Sequence, residues 1–137
     1  MGAEKLLMNK VKFVAAVLGI AILLAGCSNS ITSSDLIGVY QANHSKGTET
    51  IELLSSGIYK QKIKFNTGKV LTTVNKWRFG VGSANEVSLD SAISVDLDGQ
   101  GGPGVSNVDW SMEARKSGKE LTLNFDDDLG VFFKKIK

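Results

Sequence analysis

The chain holds few of the residues from which catalytic and metal sites are usually built. Its 137 residues include one cysteine, one histidine and one proline. A single cysteine excludes an intramolecular disulfide and, in an exported protein, calls for a special role. A single histidine, His44, leaves a hydrolytic serine with no choice of base, and no Gly-x-Ser-x-Gly elbow is present. Zinc sites take three or four ligands, so His44 would need carboxylates to complete one. His44 lies between Asn43 and Ser45 before an expected strand and reads as an exposed loop histidine. The glycine-rich stretch Gly99 to Gly104 lacks the Lys-Ser/Thr pair that completes a phosphate loop. Glu49, Glu52, Glu86, Glu113 and Glu120 offer carboxylates, but no pair has a neighbourhood that would pull two acidities apart for acid–base work. No catalysis is expected and no cofactor is implied; an envelope enzyme acting through His44 or the acidic loops is the third reading, behind a binding module and a carrier.

Charge imbalance is missing as well. The formal charge of +2 comes from residues 1–26, where Lys5, Lys10 and Lys12 stand against Glu4. Beyond them the sixteen basic and fourteen acidic side chains reduce to thirteen of each. Nucleic-acid binding needs clustered excess Lys and Arg, so no nucleic-acid partner is expected. No helical period of useful length follows Leu24, and no second apolar run is long enough to cross a membrane.

What is present is concentrated first between Lys10 and Ser28. Phe13 to Leu24 is an uncharged apolar run behind a cationic start. As a helix it would be about 18 Å long, at 1.5 Å per residue, short of a comfortable bilayer span. A positive start, a short apolar run and small residues after it are the pattern of a secretory signal peptide, with the cut falling before Cys27. Met8 begins a leader of more ordinary length than Met1, because Glu4 is unusual in such a start, and translation is expected to begin there.

Leu24-Ala25-Gly26-Cys27 resembles the lipobox of bacterial lipoproteins. The resemblance implies that the Cys27 thiol carries diacylglycerol, that Leu24, Ala25 and Gly26 are the signal-peptidase recognition positions, and that the new amino terminus is acylated. Two or more acyl chains make anchoring stable where one does not. The partner implied is a membrane, reached through the N-terminal lipid. Ser28 follows the cysteine where aspartate would favour retention at the inner membrane. The implied address is the periplasmic face of the outer membrane in a Gram-negative cell, and otherwise the outer face of the cell membrane.

The implied organisation is a signal peptide over 1–26, a lipidated Cys27 with a flexible Ser-rich tether to residue 34, and a β domain over 35–137. Seven residues of coil span about 15 Å r.m.s., which keeps that domain near the bilayer. From Leu36 onward the pattern has period two. Tyr59, Gln61, Ile63 and Phe65 alternate with Lys60, Lys62 and Lys64; Ile93, Val95 and Leu97 with Ser94, Asp96 and Asp98; Val108, Trp110, Met112 and Ala114 with Asp109, Ser111 and Glu113; Leu121, Leu123 and Phe125 with Thr122 and Asn124. One-sided alternation suits antiparallel strands with one wet face. Glycine-bearing turn signals separate the runs. The expected strands are 36–42, 48–54, 57–66, 69–79, 85–90, 92–98, 106–115, 119–126 and 130–136. Eight or nine short strands at hairpin spacing predict an all-β meander barrel, or failing that a sandwich, and closure favours the barrel by removing edges.

Leu36-Ile-Gly38-Val-Tyr40, followed by such a meander, is similar to the opening of lipocalin-like barrels. There a glycine and an aromatic residue two places on mark the first strand; lipocalins proper have tryptophan where this chain has Tyr40. They also tend to carry a helix after the barrel, for which this chain leaves no room before Lys137. The resemblance implies either a filled core or a cavity for a small apolar ligand, with Tyr40, Tyr59, Trp77 and Trp110 as lining residues in both cases. An eight-stranded barrel is just wide enough for its own side chains or for one small ligand. An envelope protein is the other candidate partner. Asp96-x-Asp98-Gly99 is a fragment of a calcium loop without its distal Glu, and Asp126 and Asp128 form a second acidic tip, so a shared cation would require both loops at one barrel end. No metal is expected. Lys60, Lys62 and Lys64 form a candidate patch for anionic headgroups or a polyanion, or simply a solvated face.

Overall fold

The computed structural model describes residues 30–99, 104–128 and 130–137. The expected signal helix, Cys27 and the lipobox lie outside the described residues. The folded unit runs from Ile31 to Lys137 and so begins within the stretch read as tether.

It opens with a single helical turn, α1 (Ser33–Leu36), which sequence periodicity is too short to register. Thr32 caps it: the Asp35 amide donates to Thr32 Oγ1 and the Thr32 amide donates to Asp35 Oδ2, a reciprocal capping box. The backbone and side-chain hydrogen bonds from Thr32 hold the Asp35 carboxyl below its usual range. Leu36 ends the turn fully buried, and its carbonyl accepts from the Tyr40 hydroxyl at 2.8 Å. The turn therefore packs its one apolar residue into the barrel end.

Eight strands follow: β1 (Gly38–His44), β2 (Gly47–Leu53), β3 (Ile58–Phe65), β4 (Val70–Phe79), β5 (Glu86–Ser94), β6 (Ser106–Ser117), β7 (Glu120–Asp126) and β8 (Val131–Lys135). Each pairs antiparallel with the next, and β8 returns to β1, closing a meander barrel. The predicted all-β barrel is what forms. Up-and-down order places the β1–β2, β3–β4, β5–β6 and β7–β8 connections at one end, with α1 and the other connections at the opposite end. Gly38 opens β1 at φ 144°, where a Cβ would run into the Lys137 carbonyl; this close approach lets Val39 N donate to Lys137 O and Ile136 N donate to Val39 O across the closure.

Two seams in the barrel are short. β4 is in register with β5 at Trp77–Leu89, Arg78–Ser88 and Phe79–Val87. β8 meets β1 through Tyr40–Lys135 and Gln41–Lys134. The barrel is thus two four-stranded halves, β1–β4 and β5–β8, sewn along two brief ladders.

One expected boundary is corrected. The stretch expected as strand 85–90 and the start of that expected at 92–98 form a single strand, β5, whose register with β6 shifts between Leu89 and Ala92; it ends at Ser94, and residues 95–98 leave the sheet as a loop. A β-bulge makes the break: Ser91 sits at φ 48°, unusual for a residue with a side chain. Its surroundings fix it. Ser91 N donates to Asp109 Oδ1 at 2.8 Å, the Tyr59 hydroxyl donates to Asp90 O at 2.7 Å, and Arg78 Nη2 pairs with Asp90 Oδ1 at 2.6 Å. The inserted residue brings both Ala92 and Ile93 to buried positions.

Inward positions fill two apolar clusters. The larger gathers Leu36, Tyr40, Ile51, Leu53, Tyr59, Trp77, Val87, Leu89, Trp110, Met112, Leu123 and Phe133 with smaller neighbours. The smaller comprises Ile63, Ile93 and Leu97, with Phe65, Leu71 and Val95 packed against it.

Candidate functional site

The polar residues of the interior converge at the β1–β2 end. His44 closes β1 and Gly47 opens β2, so the two strands turn within two residues, Ser45 and Lys46. Gly47 is buried, and a Cβ there would collide with the Lys64 carbonyl. Tyr40, Ala42 and His44 alternate to the same side of β1, and Gly47, Glu49, Ile51 and Leu53 to the same side of β2. The His44 side chain therefore points inward. It is 7% exposed, which corrects the expectation of an exposed loop histidine. Strand alternation carries it under the segment Val95–Gly99, which folds across this end.

That segment is clasped to the hairpin at several points. Lys46 N donates to Leu97 O at 3.0 Å, Ser45 Oγ donates to Leu97 O at 3.1 Å, and Ser45 N donates to Asp98 Oδ1 at 3.0 Å. His44 Nδ1 meets Asp98 Oδ2 at 2.9 Å. On the other side of the ring, His44 Nε2 lies 3.5 Å from Glu49 Oε2, close enough for charge attraction but without a hydrogen-bond partner among the described residues. Glu49, itself buried, accepts from Gln61 Nε2, which also donates to Ile93 O at 2.9 Å. Ile93 N donates back to Gln61 Oε1 at 2.7 Å. One glutamine amide thus does the work of a strand neighbour for Ile93 below the point where β4 and β5 part. The chain Asp98–His44–Glu49–Gln61–Ile93 ties the loop, β1, β2, β3 and β5 together.

The electrostatics follow from this geometry. The contact with Glu49 and the bond to Asp98 raise the His44 pKa, against desolvation, which lowers it. The bond from His44 and the Ser45 amide lower that of Asp98. An imidazolium between two carboxylates is a stable arrangement. His44 Nδ1 meets Asp98, Nε2 faces Glu49, and Ser45 Oγ is turned to Leu97 O, an arrangement that clasps the loop to the hairpin.

The calcium fragment is absorbed locally. Asp96 Oδ1 accepts from Asp98 N at 3.2 Å and Gly99 N at 2.7 Å, an Asx-type turn, and Asp96 Oδ2 lies 3.9 Å from Lys46 Nζ. The second acidic tip shares the topological end, but Asp127 faces Arg115, which it meets at 2.7 and 3.0 Å. Asp126 ends β7 and Asp128 lies in the β7–β8 turn. Among the described residues no three His, Cys, Asp or Glu side chains group as a metal site.

The four aromatic candidates are all buried in the larger cluster. Tyr40 bonds Leu36 O, Tyr59 bonds Asp90 O, and Trp77 Nε1 donates to Leu54 O at 2.9 Å. Burial pushes the Tyr59 hydroxyl up to about 12, and that of Tyr40 higher still. Trp110 packs against Phe125 with ring centroids 4.6 Å apart, and its buried Nε1 finds no acceptor among the described residues. Two clefts lie elsewhere. One of about 310 Å³ is lined by Glu86, Glu113, Arg115, Asn124 and Asp127, and one of about 370 Å³ runs between α1 and Trp77, Arg78 and Phe79. Lys60, Lys62 and Lys64 project outward and exposed.

Glu49 as a partner of His44, and Gln61 behind it as the partner of Glu49, are the candidate-site residues that sequence reasoning missed. The signal was available: extending the alternation of Tyr40 and Ala42 by one step turns His44 inward, and the same rule turns Glu49 and Gln61 toward it. No protein-family model matches the chain, and comparison with the curated proteins and with the solved structures finds no match either.

Proposed function

We propose that this protein is a lipid-anchored cell-envelope lipoprotein, resembling lipocalin-like barrels, whose small β-barrel serves as a binding or interaction module without catalysis. The observation that carries the reading is the succession of Leu24-Ala25-Gly26-Cys27, a few polar residues, and a closed barrel whose folded unit starts at Ile31. A lipobox followed this closely by a self-contained domain is the organisation of an anchored module. Cys27 is the lipid attachment residue in this reading, and the membrane is its first partner. Tyr40, Tyr59, Trp77 and Trp110, packed as core, favour a module that works through its surface over a carrier of a small apolar ligand.

The test is metabolic labelling of the full chain with a fatty-acid analogue, compared with Cys27→Ser. The wild type incorporates label and migrates as the cleaved form, whereas the variant does neither. Equal labelling of the two would refute the anchor.

A further inference from the structure

The zero net charge of the mature chain conceals a sharp segregation. From Leu53 to Asn85 there is no carboxylate, and this stretch holds Lys60, Lys62, Lys64, Lys69, Lys76 and Arg78. From Phe79 to Ala114 there is no Lys or Arg, and the stretch holds Glu86, Asp90, Asp96, Asp98, Asp109 and Glu113. The first stretch folds into the β3–β4 hairpin and the second into β5–β6.

Register then arranges the cations. Lys60, Lys62 and Lys64 form an outward row on β3, alternate residues about 7 Å apart. Across one side of it lie Glu52, Thr50 and Thr48 of β2, and across the other Val74, Thr72 and Val70 of β4, with Lys76 and Arg78 continuing the β4 face. Lys60 pairs with Glu52 and Arg78 with Asp90, while Lys62, Lys64 and Lys76 make no ion pair among the described residues. Between these cations Val70 and Val74 are 45% and 61% exposed.

We infer that the β2–β3–β4 face docks onto the surface of an anionic lipid bilayer. The lysine row supplies the attraction, since each cation near such a surface contributes favourably and additively. The two valines decide for a bilayer over a dissolved polyanion: they gain from entering the headgroup layer and would gain nothing from a hydrophilic polymer. The acidic β5–β6 hairpin lies beyond β4 around the barrel, so its negative charge is kept off the basic face. The inference rests on the anchored reading in one respect, because a short tether holds the barrel at a bilayer and makes even weak docking effective.

The experiment separates the two claims by using residues 28–137 without lipid, which contain the whole folded unit and its core. Co-sedimentation is measured with vesicles of phosphatidylcholine alone and with about one third phosphatidylglycerol. The expected result is binding only to the anionic vesicles, weakened by salt. At about fivefold per lysine, Lys62→Gln with Lys64→Gln lowers the partition coefficient roughly 25-fold. The exposed control pair Lys119→Gln with Lys134→Gln leaves it within about twofold, on the same ground that charges away from the contact contribute little. Absence of phosphatidylglycerol-dependent binding, equal loss in the control pair, tighter binding to heparin than to vesicles, or low-salt self-association abolished by the Lys62/Lys64 changes would each overturn the inference. None of these outcomes touches fatty-acid labelling of the full chain, which reads Cys27 alone.

Discussion

The barrel interior is built in two chemically different halves on the same pleated scaffold. Around Tyr40, Ile51, Leu53, Leu123 and Phe133 it is apolar and fully buried, and the polar atoms of Tyr40 and Tyr59 are satisfied by backbone carbonyls. At the β1–β2 end the same inward positions carry His44, Glu49 and Gln61, and the apolar complement shrinks to the Ile63–Ile93–Leu97 cluster. The first half is held by burial, which is non-directional and tolerant. The second is held by a chain of directional contacts, hydrogen bonds from Asp98 to His44 and from Glu49 through Gln61 to Ile93 joined by the His44–Glu49 charge contact, so losing one member leaves others stranded. The barrel's fold and its candidate site therefore draw on different sources of stability, and perturbation distinguishes them.

The largest effect is expected in the apolar half. Phe133 is fully buried, lies 6.3 Å from the Trp110 ring, and pairs across β7 with Leu123. Phe133→Ala removes that contact area and leaves a void, and should cost about 3–5 kcal/mol in equilibrium urea unfolding. The loss should be the same at low and high pH, because no titrating group is involved. A loss below about 1 kcal/mol, less than burial of a large side chain contributes, would mean that the barrel does not depend on this core.

An intermediate effect is expected from the polar half. Gln61→Leu keeps the volume and the apolar character suited to a core, yet strands Ile93 N, Ile93 O and Glu49 Oε1 together. Unsatisfied buried groups cost about 1–3 kcal/mol each, partly relieved by water, so a total near 2–3 kcal/mol is expected. Hydrogen exchange should localise the damage, with the Ile93 amide losing protection while Leu123 keeps its own. Uniform loss of protection would show that the two halves are one cooperative unit and break the comparison.

How much of this was legible in the sequence follows the same division. Alternation alone reads which residues face inward, because a period of two is imposed by the strand and not by its neighbours. It places Tyr59, Gln61, Ile63 and Phe65 on one face as the structure does. The bulge at Ser91 was not legible as a continuous strand, since the extra residue shifts the phase and the run looks like two. The clasp was not legible because its members come from β1, β2, β3 and the Val95–Gly99 segment, and closure of the barrel is what brings Asp98 to His44 across 54 positions. The Asp-x-Asp-Gly signal was real as a turn signal; Asp96 serves the loop's own amides, and Asp98 serves the Ser45 amide and the histidine.

The smallest effect sharpens the contrast by giving one half a pH dependence that the other lacks. His44 faces Glu49 from β2 and Asp98 from the loop, with Asp96 beside Asp98 and Lys46 beside Asp96. Its pKa is raised above the ordinary 6.5. The folded state therefore keeps a proton that the unfolded chain releases near 6.5, so this contribution is fully present below that pH and is lost as pH rises through the raised value. Asp98 works in the opposite window: lowered below 3.8, its contribution is present above 3.8 and is lost as pH falls through the lowered value. Stability should accordingly decline as pH rises above about 6.5 and through the raised value, by less than the Gln61→Leu loss. His44→Asn, which retains a polar side chain but does not titrate, should be less stable than wild type at about pH 5.5 and should flatten that decline. Phe133→Ala should keep the wild-type slope at a lower level. A slope that persists in His44→Asn would assign the pH dependence to another group, and the clasp would then be held by its backbone bonds alone.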